Sequence, residues 1–257
     1  MLSTISLLTV FIVAVIYPLC FWISADSPLK NGFHKFHLGL PCVLSGVVVA
    51  YILFHDYLPA VQWASSLWFG FFITIAAYYW RKEHPNPIVL TAVSLLGSHA
   101  FVLLHNQLIP FHPFKLFTSF LAGAIFCAAL FAMNLGHWYL NVHGLPISHL
   151  RRAVQVLTAL LGIRFLWNFY QLTTGRVIYQ GEESLIRQFA VTMDGFLLFV
   201  GVIFGGVFPL ISVYFATETA KLKNTQATTG ILYVILCAVL IADMAYKYYL
   251  IKFAVAL

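Results

Sequence analysis

Long, nearly unbroken apolar runs dominate the pattern of this chain. Eight of them cover Leu2–Ser24, Phe36–Phe54, Val61–Trp80, Pro87–Leu108, Phe114–Leu140, Arg152–Leu172, Phe189–Ala216 and Gly230–Phe253. A helix needs about 20 apolar residues to cross the hydrocarbon core, because every backbone donor and acceptor there must be satisfied within the segment. A transmembrane barrel would instead alternate apolar and polar positions over segments of about ten residues. The pattern therefore predicts an all-α, polytopic integral membrane helical bundle of eight spans with no soluble domain. The connectors are short and carry breakers: Pro28 and Gly32, Pro59, Pro85 and Pro87, Pro110 and Pro113, Gly144 and Pro146, Gly175 and Gly181, and the stretch 221–229. Residues 1–257 are accordingly expected to form a single transmembrane domain.

The first run could be mistaken for a secretory signal. It has no Lys or Arg before Lys30, its apolar core is too long, and Ala25-Asp26-Ser27 is a weak cleavage site, so it is read as a true span.

Composition agrees with the pattern. Of 257 residues, 61% are apolar and 9% charged, and mean hydropathy is +0.90. Soluble domains hold about 45–50% apolar and about 25% charged residues, so a soluble domain and a disordered chain are both excluded. Cys20, Cys42, Cys127 and Cys237 are isolated from one another, with no Cys-x-x-Cys pair to suggest a dithiol or zinc centre. The formal charge of +6 follows from the retention of basic residues on the cytoplasmic side. Lys30, Lys35, Arg81, Lys82, Arg151, Arg152, Lys221 and Lys223 fall on one side. Lys115, Arg176, Arg187, Lys247 and Lys252 fall on the other, a bias of eight to five. This predicts both termini on the outer side of a membrane of the bacterial inner-membrane kind, and the charge needs no nucleic acid to explain it.

Ionisable groups within spans cost at least a few kcal/mol each and persist mainly when paired or when they serve an ion, proton or ligand. Arg164, Asp194 and Asp243 are expected to share one layer in the outer half, with Asn168 on the face of Arg164 and Lys247 one turn beyond Asp243. One reading pairs Arg164 with Asp194 or Asp243 beside His99, His105 and Asn106, as a site for a quinone head group, haem propionates or proton exchange. The other makes the same charges an internal salt bridge, with Asp243 and Lys247 as an i,i+4 pair snorkelling outward.

Ten histidines form a second signal. His34, His37, His137, His143 and His149 gather on the proposed cytoplasmic side. A b-type haem takes two axial imidazoles from different helices. His37 and His137 are the candidate iron ligands, Gly39 and Gly136 would give clearance, and Phe36, Trp138 and Tyr139 would give walls. Membrane aromatic belts account for the same residues without a cofactor. A second haem layer would set His99 or His105 against His55. His99 and His105 point about 120° apart on their helix, so one of them at most could be a ligand.

Ser148 is a candidate N-cap for the sixth helix. Arg151 and Arg152 then sit in its first turn, where the helix dipole disfavours cations. Anionic lipids are their expected partner, with a haem propionate or another membrane subunit as alternatives. Gly201-x-x-x-Gly205 predicts close helix approach in the seventh span, and Pro209 a kink there. The stretches 33–38 and 111–116 share four of six residues, a faint hint of the inverted repeats that transporters use. P-loop, dinucleotide, metalloprotease and serine-hydrolase signatures are all missing from the sequence.

The function expected from these features is a membrane protein of an electron-transfer chain, binding b-type haem or quinone, as a subunit of a larger complex. The alternatives are a proton-coupled small-solute transporter and a non-catalytic scaffold or assembly subunit.

Overall fold

The computed structural model describes every residue except 26–28, 30–31, 83 and 143–144. Lys30, His143, Gly144, Pro28 and the Ala25-Asp26-Ser27 motif therefore lie wholly or partly outside the described residues. Among the described residues, eight helices are long and apolar enough to span a membrane. The protein is an all-α, multi-pass integral membrane bundle.

The spans divide between two compact units, Leu2–Phe111 and His112–Leu257. In the first unit, α1 (Leu2–Ile16) tightens into a 3₁₀ segment (Tyr17–Ser24), followed by α2 (Phe33–Leu53), α3 (Pro59–Trp80) and α4 (Pro87–Leu108). Pro18 lies in the first turn of the 3₁₀ segment, where its missing N–H costs least. Consecutive helices pack together and α4 returns to α1, closing a four-helix ring. Its interior is aromatic. Trp68 is fully buried, stacks on Phe11 with ring centres 5.2 Å apart, and lies against Gly97, where an added Cβ would come within 2.6 Å of the indole.

The second unit holds α5 (Pro113–Asn141) and α6 (Ser148–Thr174), then a hairpin of β1 (Arg176–Tyr179) and β2 (Glu182–Leu185), and a single turn α7 (Ile186–Phe189). The seventh span follows as α8 (Phe196–Val202), a π-helical turn (Ile203–Val207) and α9 (Phe208–Lys221), and α10 (Thr225–Phe253) completes the unit. Here too a ring closes, in the order α5, α6, α9, α10 and back to α5. Gln180 and Gly181 both have positive φ, the backbone that a two-residue hairpin turn requires. Val177, Ile186 and Phe189 pack on Tyr246 and Tyr249 of α10, which seats the hairpin on the bundle.

The π turn has a local cause. Pro209 lacks the N–H that would bond the carbonyl four residues back, and the N–H of Phe208 instead reaches five back to Ile203. The kink expected at Pro209 thus takes the form of a widened turn. Gly201 and Gly205 face α10, where an added Cβ on Gly205 would lie 2.5 Å from Cε2 of Tyr246 and 2.8 Å from the Ala242 methyl. The small-residue spacing serves close approach here.

The seventh span begins at Phe196 rather than Phe189. Thr192 explains much of this: its hydroxyl bonds the Phe189 carbonyl and accepts from the Gly195 N–H. Those contacts hold 190–195 as turns ahead of the helix.

Candidate functional site

Four of the residues singled out by their charge or polarity inside spans come together in the second unit. Arg164 and Asn168 lie one turn apart on α6, and Asp243 and Lys247 one turn apart on α10; their exposures are 1%, 2%, 3% and 2%. The Lys247 ammonium donates to the Asp243 carboxylate. The Arg164 guanidinium lies 3.9 Å from the centre of the Tyr246 ring. The Tyr246 hydroxyl in turn accepts from the Asn168 amide at 2.7 Å. Nη1 of Arg164 and Oδ1 of Asn168 are buried without a hydrogen-bond partner, and an unmade bond on a buried polar atom costs about 1–3 kcal/mol.

The backbone of the π turn borders this cluster. Gly206 faces the Asn168 amide, which an added Cβ would approach to 3.2 Å. Two small cavities open among these side chains, both lined by Ala122, Arg164, Asp243 and Tyr246. The second of them also reaches Thr118, Ser119 and Lys247. Each leaves about 10 Å³ for the centre of a water molecule, close to the minimum that holds one water. The cluster thus sets proton donors and acceptors around space for about one water. In its present shape it has no room for a quinone ring.

The Asp243–Lys247 pair forms as its spacing predicts, but it does not snorkel. Both side chains are buried within the ring, because Lys247 lies on the α10 face turned towards α5 and α6. Asp194 does not join the cluster. It precedes the seventh span, half-exposed, and accepts from the Tyr179 hydroxyl at 2.8 Å, with the Lys252 ammonium 3.9 Å away. The earlier start assigned to that span had drawn Asp194 into the membrane. Outside the spans, the Asp194 hydrogen bond raises the Tyr179 phenol above its ordinary value.

The histidines are dispersed. His37 of the first unit is buried, its Nδ1 2.8 Å from the Tyr17 hydroxyl and its ring 3.8 Å from that of Phe33, with Phe21 and Phe36 edge-on. His137 of the second unit is exposed, on the outer face of α5. His99 and Asn106 are exposed and His105 is buried, as their angular separation on α4 requires. His55 is exposed and bonds the Tyr51 carbonyl at 2.8 Å. Gly39 faces the Trp80 ring, and Gly136 faces Thr229 of α10. Both glycines admit neighbouring side chains, so the clearance expected for a macrocycle is occupied. Among the described residues no group of three or more His, Cys, Asp or Glu could hold a metal ion.

Arg151 has a partner that its sequence position did not disclose. Its guanidinium donates to the Ala220 carbonyl at 3.2 Å and the Lys221 carbonyl at 3.1 Å. It thereby caps the C-terminal end of α9, where a cation is favourable. Ser148 is the first residue of α6 rather than its N-cap, a position taken by Ile147. Tyr246 and the π turn were missed from the sequence. A tyrosine among apolar residues is ordinary, but Gly205-Gly206 ahead of Pro209 was a usable signal.

Compared with protein-family models, characterised proteins and solved structures, the chain gives no match.

Proposed function

We propose that this integral membrane protein couples proton movement to its activity, with the charged cluster of its second unit as the proton-handling site. In this reading Lys247 and Asp243 exchange the proton, Arg164 supplies a fixed positive charge in the same cluster, and Tyr246 and Asn168 connect the pair to water. A proton moving from the Lys247 ammonium to the Asp243 carboxylate leaves both neutral, which lowers the cost of a transient rearrangement in a medium of low dielectric.

The observation that carries the proposal is the presence of Arg164, Asp243 and Lys247, each at most 3% exposed, inside one four-helix ring with water-sized cavities. A buried ion pair is weak evidence for stability, since apolar replacements often do as well. Proton transfer by way of a bridging water suits these dimensions better than haem or quinone chemistry at the same place. The setting is the bacterial inner membrane with both termini on the outer side. Arg152 and the end of α9 would face anionic lipid or another membrane subunit.

Proteoliposomes loaded with a pH dye and given an inward-negative potassium diffusion potential test this directly. The intact protein should acidify the lumen faster than protein-free vesicles, and Asp243→Asn should remove at least about nine tenths of that flux, a change in barrier of about 1.4 kcal/mol. Lys247→Met, which leaves Arg164 and Asp243 as a balanced pair, should also lose flux while keeping its helical circular dichroism. Wild-type flux no greater than that of empty vesicles, or full flux in folded Lys247→Met, would overturn the proposal.

A further inference from the structure

A cavity larger than those of the charged cluster lies away from it, at the rim where α5 begins and α6 ends. Its volume is about 400 Å³, within the range of small-ligand sites. His112 and Lys115 line it from the first turn of α5, Tyr170, Gln171 and Thr174 from the last turns of α6, and Arg176 from β1. One wall is the segment 254–256, held firmly. Ala254 adopts positive φ, the Val255 N–H bonds the Tyr249 carbonyl at 3.2 Å, and the Trp167 indole donates to the Ala256 carbonyl at 2.9 Å.

The lining has cations and no carboxylate. Arg176 is shared with Glu183 at 3.1 Å on the exposed side of the hairpin, whereas the Lys115 ammonium has no acidic partner among the described residues. His112 accepts from the Phe114 N–H through Nδ1, which leaves Nε2 as its donor. The amino end of α5 adds positive potential of its own.

Immediately towards the membrane the surface becomes apolar. Phe114, Phe117 and Tyr170 ring Trp167 with centres 5.2–5.8 Å away, and Leu166 and Phe169 are exposed beside them. A pocket of cations at the end of the spans, opening onto an exposed aromatic and aliphatic strip, matches a molecule with an anionic head and an apolar tail.

We infer that this rim cavity binds a phosphate-headed anionic lipid, with the phosphate at Lys115, His112 and Arg176 and one acyl chain along the Phe117–Trp167–Leu166 strip. Lys115 contributes most, as the cation with no competing carboxylate.

Native mass spectrometry of the full chain, released from nanodiscs of equal phosphatidylglycerol and phosphatidylcholine, tests the assignment. The wild type should retain phosphatidylglycerol preferentially, and Lys115→Gln should lower that preference about fivefold, as expected for about 1 kcal/mol per surface cation. Arg176→Gln should lower it less, because Glu183 already engages that guanidinium. Lys252→Gln, outside this lining and already beside the Asp194 carboxylate, should leave it unchanged. Equal retention of the two lipids, or undiminished preference in Lys115→Gln, overturns the inference. Displacement of the lipid by an equal concentration of inorganic phosphate also overturns it, assigning the cavity to a free anion.

Discussion

The two units close their helices in the same cyclic order, yet they fill their interiors differently. In the first, the described buried polar residues are uncharged side chains and histidines, set among Trp68, Phe72, Phe101 and Phe11. In the second, Arg164, Asp243 and Lys247 occupy the corresponding interior, with Tyr246 as the aromatic that touches them. A four-helix ring in this protein is thus built without buried charge in one instance and around it in the other. Packing of apolar faces suffices in the first unit, so a ring of this kind does not require buried charge.

Removing charge from the second unit should sharpen that contrast most. Asp243→Leu strands two cations and is expected to destabilise the protein by about 3–5 kcal/mol, the usual cost of orphaning a buried charge. Lys247→Met leaves one cation with one carboxylate and should cost clearly less. Denaturant unfolding of the two variants checks the asymmetry, and equal losses would mean that the cluster is not balanced as described.

A smaller effect separates the glycines. Gly97→Ala in the first unit pushes a methyl into the Trp68 indole, and Gly205→Ala in the second pushes one into Tyr246. Each should cost about 1–3 kcal/mol from overpacking, read as a drop in unfolding midpoint. Only Gly205→Ala should also depress proton flux in those molecules that remain folded, because it displaces a member of the cluster.

The smallest effect is confined to the surface of the second unit. Tyr179 should ionise above 10, held neutral chiefly by its hydrogen bond to the Asp194 carboxylate. Asp194→Asn should bring phenolate absorbance back towards the ordinary midpoint. Because the folded phenol titrates higher than the unfolded one, its contribution is present below the unfolded value and disappears as pH rises through the folded one. Flux near neutrality should not respond.

Much of this was legible in the amino-acid order, for physical reasons that also mark where it stopped. Span number follows from run length, and Arg164, Asn168, Asp243 and Lys247 stood out because a charge or amide in a span is costly wherever it points. Which way a residue faces was harder to tell. In α5 nearly every position is apolar, so the periodicity that separates inside from outside is faint, and His137 gave no sign that it is exposed. Asp194 was misplaced because the apolar run from Phe189 continues through turns that Thr192 and Gly195 impose. The hairpin was concealed in a connector whose strands are only four residues each.

The widened turn at Ile203–Val207 inserts one residue beyond the regular ladder, so the two halves of the seventh span keep separate angular phases. Forcing this turn into a uniform spiral with every residue kept would swing everything from Phe208 to Lys221 by about 100°. Val213 and Ala216 would leave the interior, and the carbonyls that Arg151 holds would turn away from it.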